Sequence, residues 1–192
     1  MNKLKIFSTE TQYDLAKDDF EWATVSLLKD VDEVRYMNKQ EYYGKQYLTF
    51  EALEDGTFTF TRALSYSIND GETWTNLAAE TATPTINAGT NIMFKANIVL
   101  GENENVGIFS STCDYNAFGN PLSLVYGDNF QNVTELWSDC FVSMFSESPI
   151  VSAENVYLGF TTLANGCYYS MFYGCTSLTT APELPATTLA QN

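Results

Sequence analysis

Few residues in this 192-residue chain have the types and spacing that catalysis requires, because it contains no histidine and its cysteines form no C-x-x-C pair. The most suggestive stretch is Ser67 to Trp74, SINDGETW, in which acidic and hydroxyl side chains surround a glycine. Carboxylate and hydroxyl side chains can act in acid–base chemistry, so the first question is whether this motif has a chemical role. Asn69, Asp70 and Gly71 are equally the residue types that tight turns prefer.

The spacing of this motif favours a structural turn. It fits S-x-[DN]-x-G-x-[ST]-W and resembles the Asp-box of sialidases and other propeller glycosidases, where the turn lies on the blade periphery and recurs in each blade. This chain has one copy, and only two arginines to grip a substrate carboxylate. We therefore predict a turn that is held by Asn69 or Asp70, closed by Gly71 and packed on Trp74.

The remaining reactive groups do not indicate a catalyst. The chain has no G-x-S-x-G motif, and carboxylate pairs drawn from 24 acidic residues have no specificity. The acidic stretch 101–107 matches no ordered calcium loop. The cysteines, Cys113, Cys140, Cys167 and Cys175, lack the spacing of a zinc site and are interpreted as free buried thiols. The sequence predicts no enzyme activity, no cofactor and no metal site.

The net charge of the chain argues against two classes of partner, nucleic acids and membrane surfaces. The 24 acidic residues outnumber 9 basic ones and give a net charge of −15, which repels phosphate backbones and leaves no basic patch for a membrane surface. No window is apolar enough to span a bilayer, and the N-terminus lacks the apolar run of a secretory signal. We expect no nucleic acid, no membrane insertion and no export by the common route.

The leading segment, residues 1–47, is predicted to form a small docking module. A capping box at 9–12 begins a short amphipathic helix over 10–20, and alternating residues after it predict a β-hairpin. One helix and one hairpin bury little surface, so this module requires a partner. Its candidate contact residues are Tyr13, Phe20 and Trp22.

Residues 48–120 predict an antiparallel β-domain, either a sandwich or a barrel. Short segments rich in Thr, Phe, Tyr and Ile alternate with Gly, Asn and Asp. EDG at 54–56 and NDG at 69–71 predict hairpins, because Gly accepts a positive φ at little cost.

The C-terminal segment, residues 121–192, contains a repeat. Residues 140–166 align with 167–192: Cys140 with Cys167, SMF at 143–145 with SMF at 170–172, and TTLA at 161–164 with TTLA at 187–190. A period of 26 to 27 residues with one short strand per unit is typical of a leucine-rich-type solenoid, with 121–136 as a capping unit. In this interpretation the matched cysteines and SMF residues are buried side chains that stack from one repeat to the next. Tyr168, Tyr169 and Tyr173 are candidates to pack against a partner.

The stretch CYYSMFYGCTSLTTAPELPATTLA resembles the BspA-like, or Treponema-type, leucine-rich repeats found in proteins of gut Bacteroidales and their phages, with the motif covering 140–192. The preceding β-segment is similar to the domain that often introduces such repeats. The resemblance implies surface adhesion and protein or matrix binding and supplies no catalytic residues. Having about two repeats departs from long family members and puts an extended concave binding face in doubt.

Two hypotheses follow. The leading segment resembles those of structural proteins of Bacteroidales phages, and the missing signal favours a virion protein: a head or tail fibre, or a decoration subunit, assembled in the host cytoplasm. It would dock by its N-terminus onto other virion proteins or itself as a homo-oligomer, and meet a host surface protein or glycan. The alternative is a bacterial cell-surface BspA-like adhesin or a fragment of one.

Overall fold

The computed structural model describes residues 39–98 and 109–188. The predicted helix at 10–20, the hairpin after it and the contact residues Tyr13, Phe20 and Trp22 lie outside these residues, as does the acidic stretch 101–107. Contacts between Cα atoms divide the chain into two units, Met1–Tyr42 and Tyr43–Asn192. The first described helix begins in the first unit, and the elements that follow it lie in the second.

The secondary structure consists of short strands with little helix. In chain order the elements are α1 (Lys39–Gly44), β1 (Leu48–Ala52), β2 (Phe58–Phe60), β3 (Leu64–Ser67), β4 (Thr75–Leu77), β5 (Asn91–Lys95), β6 (Phe109–Ser111), β7 (Tyr115–Gly119), α2 (Ser123–Tyr126), a 3-10 helix (Gly127–Asn132) and β8 (Ile150–Val156). The prediction of a mainly β chain with minor α structure is confirmed.

Six strands form one mixed sheet in the order β4-β3-β5-β1-β7-β8. All neighbours are antiparallel except β7 and β8, which run parallel and pair from Tyr115–Ile150 to Gly119–Val156. β2 and β6 form a separate antiparallel pair. Within residues 39–98 and 109–188 the large sheet is not closed into a barrel, and no solenoid is shown.

Aromatic side chains join the two sheets. Phe50 in β1 is fully buried, and its ring centroid lies 5.3 Å from that of Phe58 in β2 and 4.9 Å from that of Phe109 in β6. Burial alternates along β2 and β7, which directs their buried aromatic rings to one side of each strand, while β1 is buried along almost its whole length. The small sheet therefore packs over the centre of the large one.

Two buried hydroxyl groups, those of Ser123 and Tyr115, tie further elements to this core. Ser123 Oγ accepts a hydrogen bond from the Leu48 N–H (3.0 Å) and donates one to the Phe94 carbonyl (2.9 Å), which ties α2 to β1 and β5. The hydroxyl of Tyr115 donates to Ser148 Oγ at 2.8 Å, which ties β7 to the C-terminal segment. Burial strongly raises the pKa of this Tyr115 hydroxyl, so it remains protonated and able to donate.

The predicted hairpin at 54–56 is wrong. β1 pairs with β5 and β7, while β2 pairs with β6, so the EDG segment crosses from one sheet to the other. Both edges of β1 are already occupied, and this excludes a hairpin with β2. Gly56 is needed for close packing, because a Cβ there would lie 2.5 Å from the side chain of Cys113.

No helix within the described residues combines the length and the apolar character needed to cross a bilayer.

Candidate functional site

Two matching series of turns dominate the C-terminal part of the structure. Left-handed backbone angles, with φ between 53° and 67°, occur at Asp139, Phe141 and Ser143, and 27 residues later at Gly166, Tyr168 and Ser170. Such angles are uncommon for bulky side chains such as Phe and Tyr. Their recurrence at matched positions shows that the two repeats, 140–166 and 167–192, share one backbone conformation in their first halves.

A ladder of backbone hydrogen bonds joins the two series of turns. Each bond runs from an N–H of the earlier series to a carbonyl 26 residues further along the chain. The four pairs are Asp139–Asn165 (2.7 Å), Ser143–Tyr169 (2.9 Å), Phe145–Met171 (2.9 Å) and Glu147–Tyr173 (2.7 Å). These four N–H groups therefore donate toward the second repeat, while the Tyr168 N–H donates in the opposite direction, to the Cys140 carbonyl at 2.9 Å.

Side chains stack along the same direction. The rings of Phe145 and Phe172 are parallel within 1°, with centroids 5.2 Å apart, and Phe141 stacks on Tyr168 at 6.2 Å. Further along each repeat, isolated parallel bridges join Ser152 to Thr180 and Thr162 to Thr188. Residues paired by the sequence alignment thus lie beside each other in space.

The end of the second repeat presents the same ladder without a partner. Ser170, Phe172 and Gly174 match the donors Ser143, Phe145 and Glu147, yet within the described residues their N–H groups meet no acceptor. Beside them lies an apolar groove of about 430 Å³. It is lined by Leu158, Tyr168, Ser170, Met171, Phe172, Tyr173, Ala181, Pro182 and Leu184. We call this surface, donors and groove together, the end face.

The predicted contact tyrosines of this segment divide into two kinds. Tyr169 and Tyr173 are 70% and 67% exposed. Tyr168 is half-buried on Phe141, and burial raises the pKa of its hydroxyl. The end face also includes residues that the sequence did not single out, Leu184 and Pro182 above all. Leu184 is 53% exposed. The feature of the sequence that could have identified it is an apolar residue in a Pro-rich tail.

The SINDGETW stretch forms the turn between β3 and β4, which pair antiparallel. Asn69 Oδ1 accepts hydrogen bonds from Ser67 Oγ (2.8 Å) and the Thr73 N–H (3.1 Å). Asp70 and Gly71 have φ of 54° and 83°, which Asn, Asp and Gly tolerate best. This local geometry accounts for the motif without a chemical role.

Asn69→Ala is expected to lower the free energy of unfolding by about 1–2 kcal/mol, because the acceptor of three turn hydrogen bonds is lost. The matched control is Asn69→Asp, which keeps a side-chain oxygen at that position and should lose less than half as much. Urea denaturation of both variants measures the difference. Equal losses would contradict a turn held by this oxygen.

Trp74 follows the turn and belongs to a polar cluster. Asp128 Oδ1 accepts hydrogen bonds from Lys95 Nζ at 2.7 Å and from the Tyr47 hydroxyl at 2.8 Å. These two bonds hold the pKa of the Asp128 carboxyl below its usual range. Burial, and then the bond to Asp128, raise the pKa of Tyr47 to about 12. Lys95 Nζ lies 4.2 Å from the centre of the Trp74 ring, so the cluster braces the turn against β5 and the 3-10 helix.

A second concavity of about 620 Å³ lies between the 3-10 helix and the chain that follows β8. Its lining includes Phe130, Leu136 and Phe160, with the Glu135 carboxyl and the Tyr157 hydroxyl as titratable groups. Burial raises the pKa of Tyr157. In the part of the chain that the structure describes, no three His, Cys, Asp or Glu side chains are grouped as metal ligands.

Three of the four cysteines lie along the repeats. Cys140 is buried and donates a hydrogen bond to Cys167 Sγ at 2.8 Å, while Cys167 donates to the Trp137 carbonyl at 3.1 Å. Cys175 donates to the Phe145 carbonyl at 2.8 Å. All four thiols, Cys113 included, are free.

No protein-family model, no curated protein and no solved structure matches this chain.

Proposed function

We propose that this chain is a non-enzymatic, virion-associated structural protein, a head or tail fibre or a decoration subunit, which docks by its N-terminus and projects a binding module. The observation that carries the proposal is the end face, which combines exposed apolar side chains with backbone donors that meet no acceptor within residues 39–98 and 109–188. Exposed apolar surface of this kind is typical of protein interaction sites. The two stacked repeats support the finer proposal of a short leucine-rich-type stack on a β-sandwich-like domain.

The partner that we propose for the end face is a second copy of this chain. In this proposal the end face of one copy binds a different, acceptor-bearing surface of the next, which is a heterologous arrangement. Exposed carbonyl groups on an edge strand such as β4, whose Thr75 and Asn76 are exposed, have the required chemistry.

Size-exclusion chromatography with light scattering tests this proposal. The purified chain is expected to run as an oligomer. Leu184→Glu places a charge in the apolar groove and should weaken association at least about tenfold, which corresponds to about 1.4 kcal/mol. Ile68→Glu is the matched control, since Ile68 is 57% exposed, close to the 53% of Leu184, and lies in the β3–β4 turn.

A monomeric parent chain would contradict self-association. An oligomer that Leu184→Glu leaves intact would show that another surface makes the contact. Equal dissociation of both variants would indicate that added negative charge, on a chain of net charge −15, is responsible instead.

The alternative proposal is a bacterial surface adhesin, and the exposed tyrosines Tyr169 and Tyr173 favour it. Both lie in the second repeat, and Tyr is a common residue in recognition surfaces because it is amphipathic and rigid. Antibodies against the chain distinguish the two: labelling of purified phage particles supports the virion protein, whereas labelling of intact bacterial cells supports the adhesin.

A further inference from the structure

The first half of each repeat places a thiol at the same position. Cys140 and Cys167 are separated by 27 residues in sequence, and their sulfur atoms lie 2.8 Å apart. The backbone joins the repeats beside them, since the Tyr168 N–H donates to the Cys140 carbonyl at 2.9 Å. Hydrogen-bonded strands lie about 4.8 Å apart, which is inside the range of about 4.4–6.8 Å between Cα atoms that a disulfide requires.

The two thiols differ in accessibility. Cys140 is fully buried, whereas Cys167 is only half-buried. The hydrogen bond from Cys140 lowers the pKa of Cys167, because it stabilises the thiolate, and correspondingly raises the pKa of Cys140. An external oxidant therefore reaches Cys167 before Cys140, and the thiolate of Cys167 is the form that reacts.

We propose that Cys140 and Cys167 are a built disulfide site, which a low-molecular-weight disulfide such as oxidised glutathione converts from two thiols to one inter-repeat bond. The Cys167 thiolate attacks one sulfur of the oxidant, forms a mixed disulfide and releases the first glutathione thiolate. Cys140 then loses its proton to that thiolate and attacks Cys167 Sγ, which releases the second glutathione. Two protein thiols are oxidised and the oxidant is reduced to two thiols.

The bond would fasten the second repeat to the first at the position where the stack begins. It closes a loop within the chain, so it limits the unfolded state and should raise the thermal midpoint by several degrees. Cys175 provides an internal comparison, because the equivalent residue in the first repeat is Ser148, whose Oγ lies 3.8 Å from Cys175 Sγ. This pair of equivalent positions therefore contains one thiol and cannot form a disulfide.

The test starts from the reduced full-length chain, which is treated with oxidised glutathione at neutral pH and then analysed by intact mass, maleimide labelling and chymotryptic peptide mapping. The expected result is a mass loss of two hydrogen atoms, with two of the four thiols no longer labelled. The map should join the peptides that contain Cys140 and Cys167. Cys175→Ser should behave like the parent chain in all three measurements, apart from its missing thiol.

The variant Cys140→Ser removes the resolving thiol and is expected to retain one glutathione on Cys167, seen as a gain in mass. Circular dichroism shows whether Cys140→Ser is folded. If this variant does not fold, the comparison of the parent chain with Cys175→Ser still tests the proposed disulfide. The proposal is overturned if all four thiols stay labelled, if the parent chain keeps a stable glutathione adduct, or if the map links Cys113 or Cys175.

Discussion

Phe50→Ala is expected to lower the free energy of unfolding by about 3–5 kcal/mol, the range for removing a large ring from a packed core. Phe50 is fully buried, and the rings around it come from four other strands and the first repeat. Those at 4.8–6.2 Å between centroids are Phe58, Phe94, Phe109, Tyr115 and Phe145. The cavity would lie where the two sheets and the repeats meet, so little of it can collapse.

Urea denaturation monitored by circular dichroism measures this loss. Leu53→Ala is the control, since Leu53 lies just after the same strand but is 39% exposed, and its loss should stay within about 0.5 kcal/mol. A loss below about 1 kcal/mol for Phe50→Ala would show that the ring cluster does not hold the sheets together.

Gly119→Ala is expected to cost at least about 2 kcal/mol, because two separate penalties apply at this position. Gly119 ends β7 with φ of 85°, a conformation that side chains disfavour. A Cβ there would also lie 2.1 Å from the Tyr47 carbonyl oxygen, which is backbone and cannot move away alone. The strand end and its hydrogen bond to the Tyr157 N–H would both shift.

Gly89→Ala separates the two penalties. Gly89 has a similar φ of 75°, but a Cβ at that position would meet nothing within 4 Å. Its cost should therefore reflect conformation alone, about 1–2 kcal/mol, and be clearly smaller than that of Gly119→Ala. Equal losses for the two variants in urea denaturation would mean that the approach of Tyr47 to β7 is not tight.

The parts of the fold that sequence could predict are those decided locally. Strand segments with alternating Phe, Tyr and Thr appear at the expected places, and the NDG turn joins two paired strands because Asn69, Asp70 and Gly71 suit its backbone angles without help from elsewhere. The EDG segment shares the Asp-Gly pair, yet the strands that flank it pair with distant strands. Local turn preference identifies a turn and leaves the pairing of the flanking strands to the tertiary structure.

The end face depends even more on distant contacts. Positive φ at Phe141 and Tyr168 contradicts the preference of both residues, and their hydrogen-bonded neighbours in the facing repeat make that conformation favourable. The alignment of Cys140 with Cys167 was visible in the sequence, whereas the contact of their sulfur atoms was not. Repeat spacing identifies residues that are equivalent, and only the stacking geometry brings their side chains together.

The parallel pairing of β8 with β7 divides the stability of the C-terminal half unevenly. The first repeat belongs to the central sheet through β8, and Tyr115 fastens it again at Ser148. Within the residues that the structure describes, the ladder and bridges that hold the second repeat run to residues 139–163. Local opening can therefore release the second repeat while every strand of the sheet stays paired. The second repeat can thus open and close while the sheet and the first repeat keep their structure.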